Sequence, residues 1–251
     1  KALGNNNLTW EKTDKFNVGI EMQFLNRRLT VDADYYHDKT IDLVNDVSLS
    51  QTSGFSSYKD NMGEVLNQGF ELQVRGEVFR NRDWLVALWG NMAHNKNKIV
   101  KISDSQRAYN QRVKDFYQKG IVDMNYNGYE PQYAVPISQY EEGQSLTSIW
   151  AVKSLGIDPA TGKEIFLNRD GSVSDTWNAT QEVAVGNTEP KFNGSIGFNA
   201  AYKQWSLFAA FQYEWGGQEY NQTLVDRVEN ARIQYQNVDL RVLTDRWKQP
   251  G

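Results

Sequence analysis

The 251-residue sequence contains no cysteine. That removes disulfides, thiolate zinc sites and cysteine nucleophiles from consideration. Histidine is nearly as scarce, with only His37 and His94, far apart in the chain. No run of about 18 apolar residues occurs, so no membrane-spanning helix is expected. A membrane-spanning strand is untouched by that absence, because its mark is alternation rather than continuity. No charged stretch followed by an apolar one comes after Lys1, so no secretory signal is read there. The net charge is −4, which gives no basic footprint for nucleic acid. Apolar residues are few, at 39% with a mean hydropathy of −0.67, whereas aromatics reach 13%, including 8 Trp and 13 Tyr. A chain both polar and aromatic fits a membrane barrel with a wet lumen and aromatic girdles. It fits a secreted carbohydrate-binding β-sandwich equally well.

Alternation is what the sequence does carry. Phe16, Val18, Ile20, Met22 and Phe24 are interleaved with Asn17, Gly19, Glu21 and Gln23. A period of two puts these sets on opposite faces of a strand. Leu25 to Arg28 reads as a short turn. Leu29, Val31, Ala33 and Tyr35 then alternate with Thr30, Asp32, Asp34 and Tyr36, which completes a hairpin. A second hairpin sets Phe70, Leu72, Val74, Gly76 and Val78 against Glu71, Gln73, Arg75 and Glu77, and turns at Arg80 to Asp83. Its return strand carries Trp84, Val86, Leu88, Gly90 and Met92, with parity blurred by Leu85, Ala87 and Trp89. A third sets Phe192, Gly194, Ile196, Phe198, Ala200 and Tyr202 before a turn at Lys203 and Gln204, then Leu207, Ala209, Phe211, Tyr213 and Trp215.

The links between hairpins are long, from about residue 44 to 64, from about 96 to 190, and from Gly216 onward. Short turns at one end and long loops at the other characterise outer-membrane barrels. Each strand core is about 10 residues, enough for a tilted strand to cross a bilayer. Phe24, Trp84 and Trp205 stand at the short-turn end, and Tyr35, Tyr213 and Trp215 at the loop end, where aromatic girdles belong. Glu21, Gln23, Asp32, Asp34, Glu71, Gln73, Arg75, Glu77, Gln212 and Glu214 are expected to face the lumen. The fold class is therefore an all-β, antiparallel transmembrane barrel segment. Six strands do not close a barrel, and open edges within hydrocarbon leave backbone groups unpaired, so the chain is expected to be part of something larger. A soluble sandwich is the alternative, against which the very unequal loops weigh.

Chemical motifs are weak. The histidines lack companion ligands for zinc, and a glycosidase, which needs two carboxyls flanking a bond, ranks behind both other readings although Asp32 and Asp34 share a face. Asn168 to Asp175 places its glycine too early for an EF-hand and reads as a turn. No catalytic residue, metal site or cofactor is assigned. Leu224 to Tyr235 reads as a short amphipathic helix. In the long link, Tyr109, Phe116, Tyr117, Tyr126, Tyr129, Tyr133, Tyr140 and Trp150 offer aromatic surface. Of these, Tyr126, Tyr129, Tyr133, Tyr140 and Trp150 are the residues expected to meet substrate or partner, since such rings stack on sugars and anchor interfaces. Gly156 to Pro159 and Asp170-Gly171 predict a small hairpin within the same link.

An ordered series of motifs resembles one family. Asn5-Asn6-Asn7-Leu8-Thr9-Trp10-Glu11-Lys12-Thr13 leads to Asn17-Val18-Gly19-Ile20-Glu21. Asp34-Tyr35-Tyr36, Lys39-Thr40 and Asp42-Leu43 follow. Then come Asn61-x-Gly63, Asn67-x-Gly69-Phe70-Glu71-Leu72, Asn95-Lys96-Asn97-Lys98-Ile99, Glu142-Gly143, Gly156-Ile157-Asp158-Pro159-x-Thr161-Gly162, Asp170-Gly171, Gly186, Pro190 and Gly194. Together these resemble the late barrel strands of SusC-type (SusC/RagA-like) TonB-dependent outer-membrane transporters. The resemblance implies that residues 1–251 are part of one barrel domain of about 22 strands, with plug domain, TonB box, earlier strands and final strand outside this chain. It implies a multi-pass protein in the outer membrane of a Gram-negative, Bacteroidetes-like cell, not an enzyme. Its implied partners are a SusD-like surface lipoprotein, the remaining barrel and plug, the TonB complex, outer-membrane lipid, and a glycan or peptide substrate.

Overall fold

A computed structural model describes residues 3–48, 57–122, 139–229 and 233–250. Its main sheet has six strands in the order β1-β2-β5-β6-β12-β13, all antiparallel. These are β1 (Lys12–Phe24), β2 (Leu29–Ile41), β5 (Gly63–Arg80), β6 (Trp84–Ile102), β12 (Phe192–Tyr202) and β13 (Trp205–Trp215). A small hairpin of β3 (Val44–Ser48) and β4 (Ser57–Asn61) links β2 to β5. The three short turns fall where the breaks in alternation put them. Leu25, Asn26, Arg27 and Lys203 take positive φ in two of them, the tight reversal that hairpin twist favours.

Register fixes the two faces. Strand alternation and cross-strand pairing together put Met22, Val31, Val74, Gly90, Ile196 and Phe211 in one row, flanked by the row Ile20, Ala33, Leu72, Met92, Gly194 and Tyr213. Between them on the opposite face runs the row Glu21, Asp32, Gln73, Asn91, Ser195 and Gln212. A one-residue slip of any strand would exchange its faces, so the apolar rows are continuous only in this register. Ile20, Ile196 and Phe211 remain 56, 55 and 63% exposed. A soluble sheet hides such a face; here it stays open. Strands β1 and β13 are the two edges of the sheet.

Two strands run far beyond the expected length of about 10 residues: β5 has 18 and β6 has 19. The ladder continues past the membrane-length core, so the long link begins after Ile102 rather than at about residue 96. That link is also not irregular throughout. Ser103 accepts a hydrogen bond from Gln106 N through Oγ, 3.2 Å, and opens α1 (Asp104–Val122). A short polar residue before the first turn satisfies an otherwise orphaned N–H.

The chain divides into two compact units. The first is Lys1–Asn110, Tyr140–Thr147 and Asn187–Gly217, and contains the six-stranded sheet. The second is Gln111–Gln139, Ser148–Gly186 and Gln218–Gly251. In it β8 (Lys153–Ile157), β9 (Glu164–Leu167) and β10 (Val173–Ser174) form a three-stranded sheet, and β7 (Ser148–Ala151) pairs with β11 (Val183–Asn187). The hairpin expected at Gly156 to Pro159 is β8–β9. Asp158 closes its turn, accepting from Ala160 N at 3.0 Å and Thr161 Oγ1 at 2.6 Å. Trp247 Nε1 donates to the Pro159 carbonyl, 2.8 Å, with its ring over Gly162. The helix expected from Leu224 to Tyr235 is a short turn at Gln222–Leu224 followed by a π-helical stretch at Val225–Glu229. The rest of that expectation partly falls outside the described residues.

Candidate functional site

The polar face of the six-stranded sheet holds Glu21, Gln23, Asp32, Asp34, Glu71, Gln73, Arg75, Glu77, Gln212 and Glu214 together, each at an alternating position of matching register. Glu21 stands opposite Asp32, and Asp34 opposite Glu71. Like charges directly across a ladder are unfavourable, so this face is arranged for something other than sheet stability. Asp34 leans over Gly19, where an added Cβ would meet its Oδ1 at 2.3 Å. Glu21 accepts from Gln23 Nε2, 2.8 Å. A concavity of about 660 Å³ lies on this face, lined among others by Asp32, Glu71, Gln73, Trp89, Asn91 and Gln212.

Trp89 and Asn91 were not singled out from sequence, because Leu85, Ala87 and Trp89 blur the alternation of β6. Register resolves them. Trp89 stands opposite Gly197 and stacks on Phe208, ring centroids 6.0 Å apart and 12° from parallel. Gly197 is what lets it lie down: a Cβ there would meet the indole at 2.5 Å. Asn91 Oδ1 accepts from Ser195 N and Oγ at 2.8 and 3.1 Å. Further along the same face Tyr36 crosses Gly69 and donates to Asn95 Oδ1, 3.0 Å. The result is a wall of carboxylates and amides with the Arg75 guanidinium, the Tyr36 hydroxyl and a stacked Trp89–Phe208 pair, able to bind polar solutes or a polar domain by hydrogen bonds. Among the described residues no group of His, Asp and Glu is placed to hold a metal ion.

The other face ends in aromatic clusters. At the short-turn end Trp84 and Tyr202 are in contact, 4.5 Å between centroids. At the loop end Phe70, His94, Phe192 and Trp215 form a chain, with successive centroids 5.5, 5.2 and 5.8 Å apart. His94 therefore belongs to an aromatic girdle. Tyr213 satisfies its hydroxyl within the sheet, donating to the Asn91 carbonyl at 3.0 Å, as a polar atom on an apolar face must.

Of the aromatic residues expected to meet substrate or partner, Tyr126, Tyr129 and Tyr133 lie outside the described residues. Tyr140 is half-buried and accepts from Asn110 Nδ2 through its carbonyl, 2.8 Å. Trp150, in β7, is 9% exposed. Nearby in sequence, Arg107 donates to Glu142 Oε1 at 3.0 Å. That bond, then one from Ile102 N, holds the Glu142 carboxyl below its usual range.

Glu182, 1% exposed, is a buried carboxyl in the second unit. Gln139 Nε2 donates to its Oε2 at 3.2 Å, while its Oε1 has no hydrogen-bond partner among the described residues. Burial pushes this group above its ordinary value of 4.5, against the Gln139 hydrogen bond and the nearby Arg169 charge. A carboxyl with a raised folded-state pKa favours the fold fully below its unfolded value, and that contribution is lost as pH rises through the folded one. Glu182→Gln keeps an acceptor for Gln139 and removes the ionisation. The variant is expected to resist proteolysis of this unit better than wild type at neutral pH, and equally well near pH 4. Wild-type-like cleavage across that range would contradict the reading.

Comparison with known proteins agrees with this geometry. Residues 1–249 match a family model described as TonB dependent receptor-like, beta-barrel. TonB-dependent receptor P3 of Formosa agariphila is 28% identical over 232 residues, covering 89% of this chain and 22% of that protein. TonB-dependent receptor SusC of Bacteroides thetaiotaomicron is 35% identical over 100 residues, 39% of this chain and 10% of that one. Among solved structures, the RagAB peptide transporter superposes with a TM-score of 0.74 at 25% identity, over 99% of this chain and 26% of that one. The chain thus spans about a quarter or less of the relatives it matches.

Proposed function

This chain belongs to the TonB dependent receptor-like β-barrel family, and from that premise we propose that residues 1–251 form part of the wall and outer loops of an outer-membrane importer. TonB-dependent receptors are transporters, not enzymes. The observation that carries the reading is the inverted sheet: its apolar rows are open and its polar rows line a concavity. In a barrel the first face meets lipid and the second meets the lumen. The lumen residues are then Glu21, Gln23, Asp32, Asp34, Glu71, Gln73, Arg75, Glu77, Gln212 and Glu214, joined by Trp89 and Asn91.

The wall supplies no chemistry. Selectivity comes from its hydrogen-bonding side chains and from the outer loops, and energy from a TonB complex acting through parts outside this chain. The cargo is a glycan or a peptide, both rich in the donors and acceptors that this wall complements. A SusD-like lipoprotein covers the outer end, and the rings of Tyr126, Tyr129 and Tyr133 contribute to that contact. The likeness to the RagAB peptide transporter favours a peptide.

Orientation is the direct test, in the full-length receptor in whole cells. This segment has no cysteine of its own, so single cysteines can be introduced at exposed positions. Asp170→Cys, in the β9–β10 turn, is expected to react with a membrane-impermeant maleimide in intact cells. Arg82→Cys, in the β5–β6 turn, is expected to react only after the outer membrane is broken. The reverse pattern would overturn the topology.

A further inference from the structure

The run Asn95-Lys96-Asn97-Lys98 lies where β6 extends beyond the aromatic girdle, and alternation splits it cleanly. The asparagines point to the polar side, where both are tied in. Asn95 Nδ2 donates to Glu189 Oε1 at 2.6 Å, and Asn97 Oδ1 accepts from Leu146 N at 2.9 Å while its Nδ2 reaches Asn67 at 2.7 Å. The lysines therefore share the face that carries the apolar rows. Both are exposed, and neither has an ion-pair partner among the described residues.

Their neighbours on that face are also fixed by register. Lys96 stands in a row with Gln68 and His37, and Lys98 in a row with Leu66, Lys39 and Asp14. The acids near them do not neutralise them. Glu64 is held by Lys39 at 2.8 Å, and Asp14 is three strands away, roughly 14 Å across the ladder. Below Lys96 lies the girdle of Phe70, His94, Phe192 and Trp215. Two residues of strand rise about 7 Å, so Lys96 and Lys98 stand about 7 and 14 Å above the His94 level, tilt aside.

We infer that Lys96 and Lys98, with His37 and Gln68 beside them, form an outward-facing cationic patch that binds the phosphorylated headgroup of an outer-leaflet lipid. This rests on the reading that the apolar face lies in the outer membrane. Aromatic girdles mark the boundary between hydrocarbon and headgroups, and unpaired lysines directly above one meet the headgroup layer. Long lysine stems lie along apolar surface while the ammonium reaches the anionic layer. Phosphate is the complementary charge, and basic residues at a membrane surface gain from it additively. The patch is continuous with the lipid-facing rows below it, so one lipid can place its chains on Leu72 and Phe70 and its phosphate on the lysines.

The test uses the full-length receptor in mild detergent, titrated with diphosphoryl lipid A or with phosphatidylcholine and read by native mass spectrometry. Wild type is expected to retain lipid A preferentially, and less so as ionic strength rises. The K96Q/K98Q variant is expected to lose about 25-fold in that retention, from roughly fivefold per lysine. K96R/K98R is expected to keep it, and Lys15→Gln, on the polar face, to leave it unchanged. Equal retention by K96Q/K98Q, or no preference for lipid A over phosphatidylcholine in wild type, overturns the proposal. A two-copy species that dissociates in K96Q/K98Q with no change in lipid A retention would assign the patch to an interface between copies, and also overturns it. Failure of the membrane reading itself would look different: the receptor would stay monodisperse without detergent.

Discussion

Arginine placed at Ile20, Leu72, Phe198 or Phe211 is expected to destabilise the inserted receptor by about 2–4 kcal/mol for sites near the bilayer midplane. Each of these side chains lies on the apolar face, in rows fixed by the register of β1, β5, β12 and β13. Arginine there must carry its charge into hydrocarbon or drag water and headgroups inward. Phe211, 63% exposed, lies between the two aromatic ends of β13, away from both. Arginine at Gln23, Gln73 or Gln212 is expected to be mild, because the polar face is wet. Gln73 and Gln212 already sit among carboxylates and amides. A urea titration of folding into vesicles, done on the full-length receptor, separates the two sets. Equal losses from both would mean that the faces are assigned the wrong way or that neither meets lipid.

Excising residues 112–137 and bridging the gap with a short Gly/Ser linker is expected to leave the receptor inserted but to lower cargo uptake roughly tenfold or more, as losing one or two interface anchors does. The two ends of the excision are held close, because Asn110 Nδ2 donates to the Tyr140 carbonyl at 2.8 Å. The contacts that fasten the flanks survive: Arg107 keeps Glu142 and Asp104, and Gln139 remains to hydrogen-bond Glu182. The segment removed carries Tyr126, Tyr129 and Tyr133. Loops on rigid scaffolds tend to carry recognition rather than stability. Insertion is read from surface labelling at Asp170→Cys, and function from uptake of a labelled glycan or peptide pool. Normal uptake by a correctly inserted variant would remove this segment from the binding reading. A companion variant with Tyr126, Tyr129 and Tyr133 each changed to Ala removes only the rings, and is expected to move uptake in the same direction.

The sequence alone determined the hairpins, their turns and the polarity of their faces. The reason is that a period of two is a local property: once Phe16 to Phe24 alternates with Asn17 to Gln23, each side chain's face follows from backbone geometry. The ends of those runs at Leu25, Arg80 and Lys203 were equally local, since polar breaks in alternation leave no face to continue. An ordered set of short motifs added the family. What alternation did not carry was any segment whose placement depends on partners distant in sequence. Trp89 looked like noise in β6 until pairing with Gly197 put it on the polar face, against Phe208. The strand runs on past Asn95 because Asn95 and Asn97 find Glu189, Asn67 and Leu146 far along the chain, and no local pattern announces such partners. Trp150 read as exposed aromatic surface, yet tertiary packing buries it; an aromatic ring in a short strand gives the same local signal whether it faces solvent or a core. The cap that Ser103 gives α1 was not read from the sequence, because a cap is visible only where a helix is already suspected. The faces of the sheet were thus local and legible, whereas the outer loops, built from contacts across long sequence separations, were decided only by the tertiary structure.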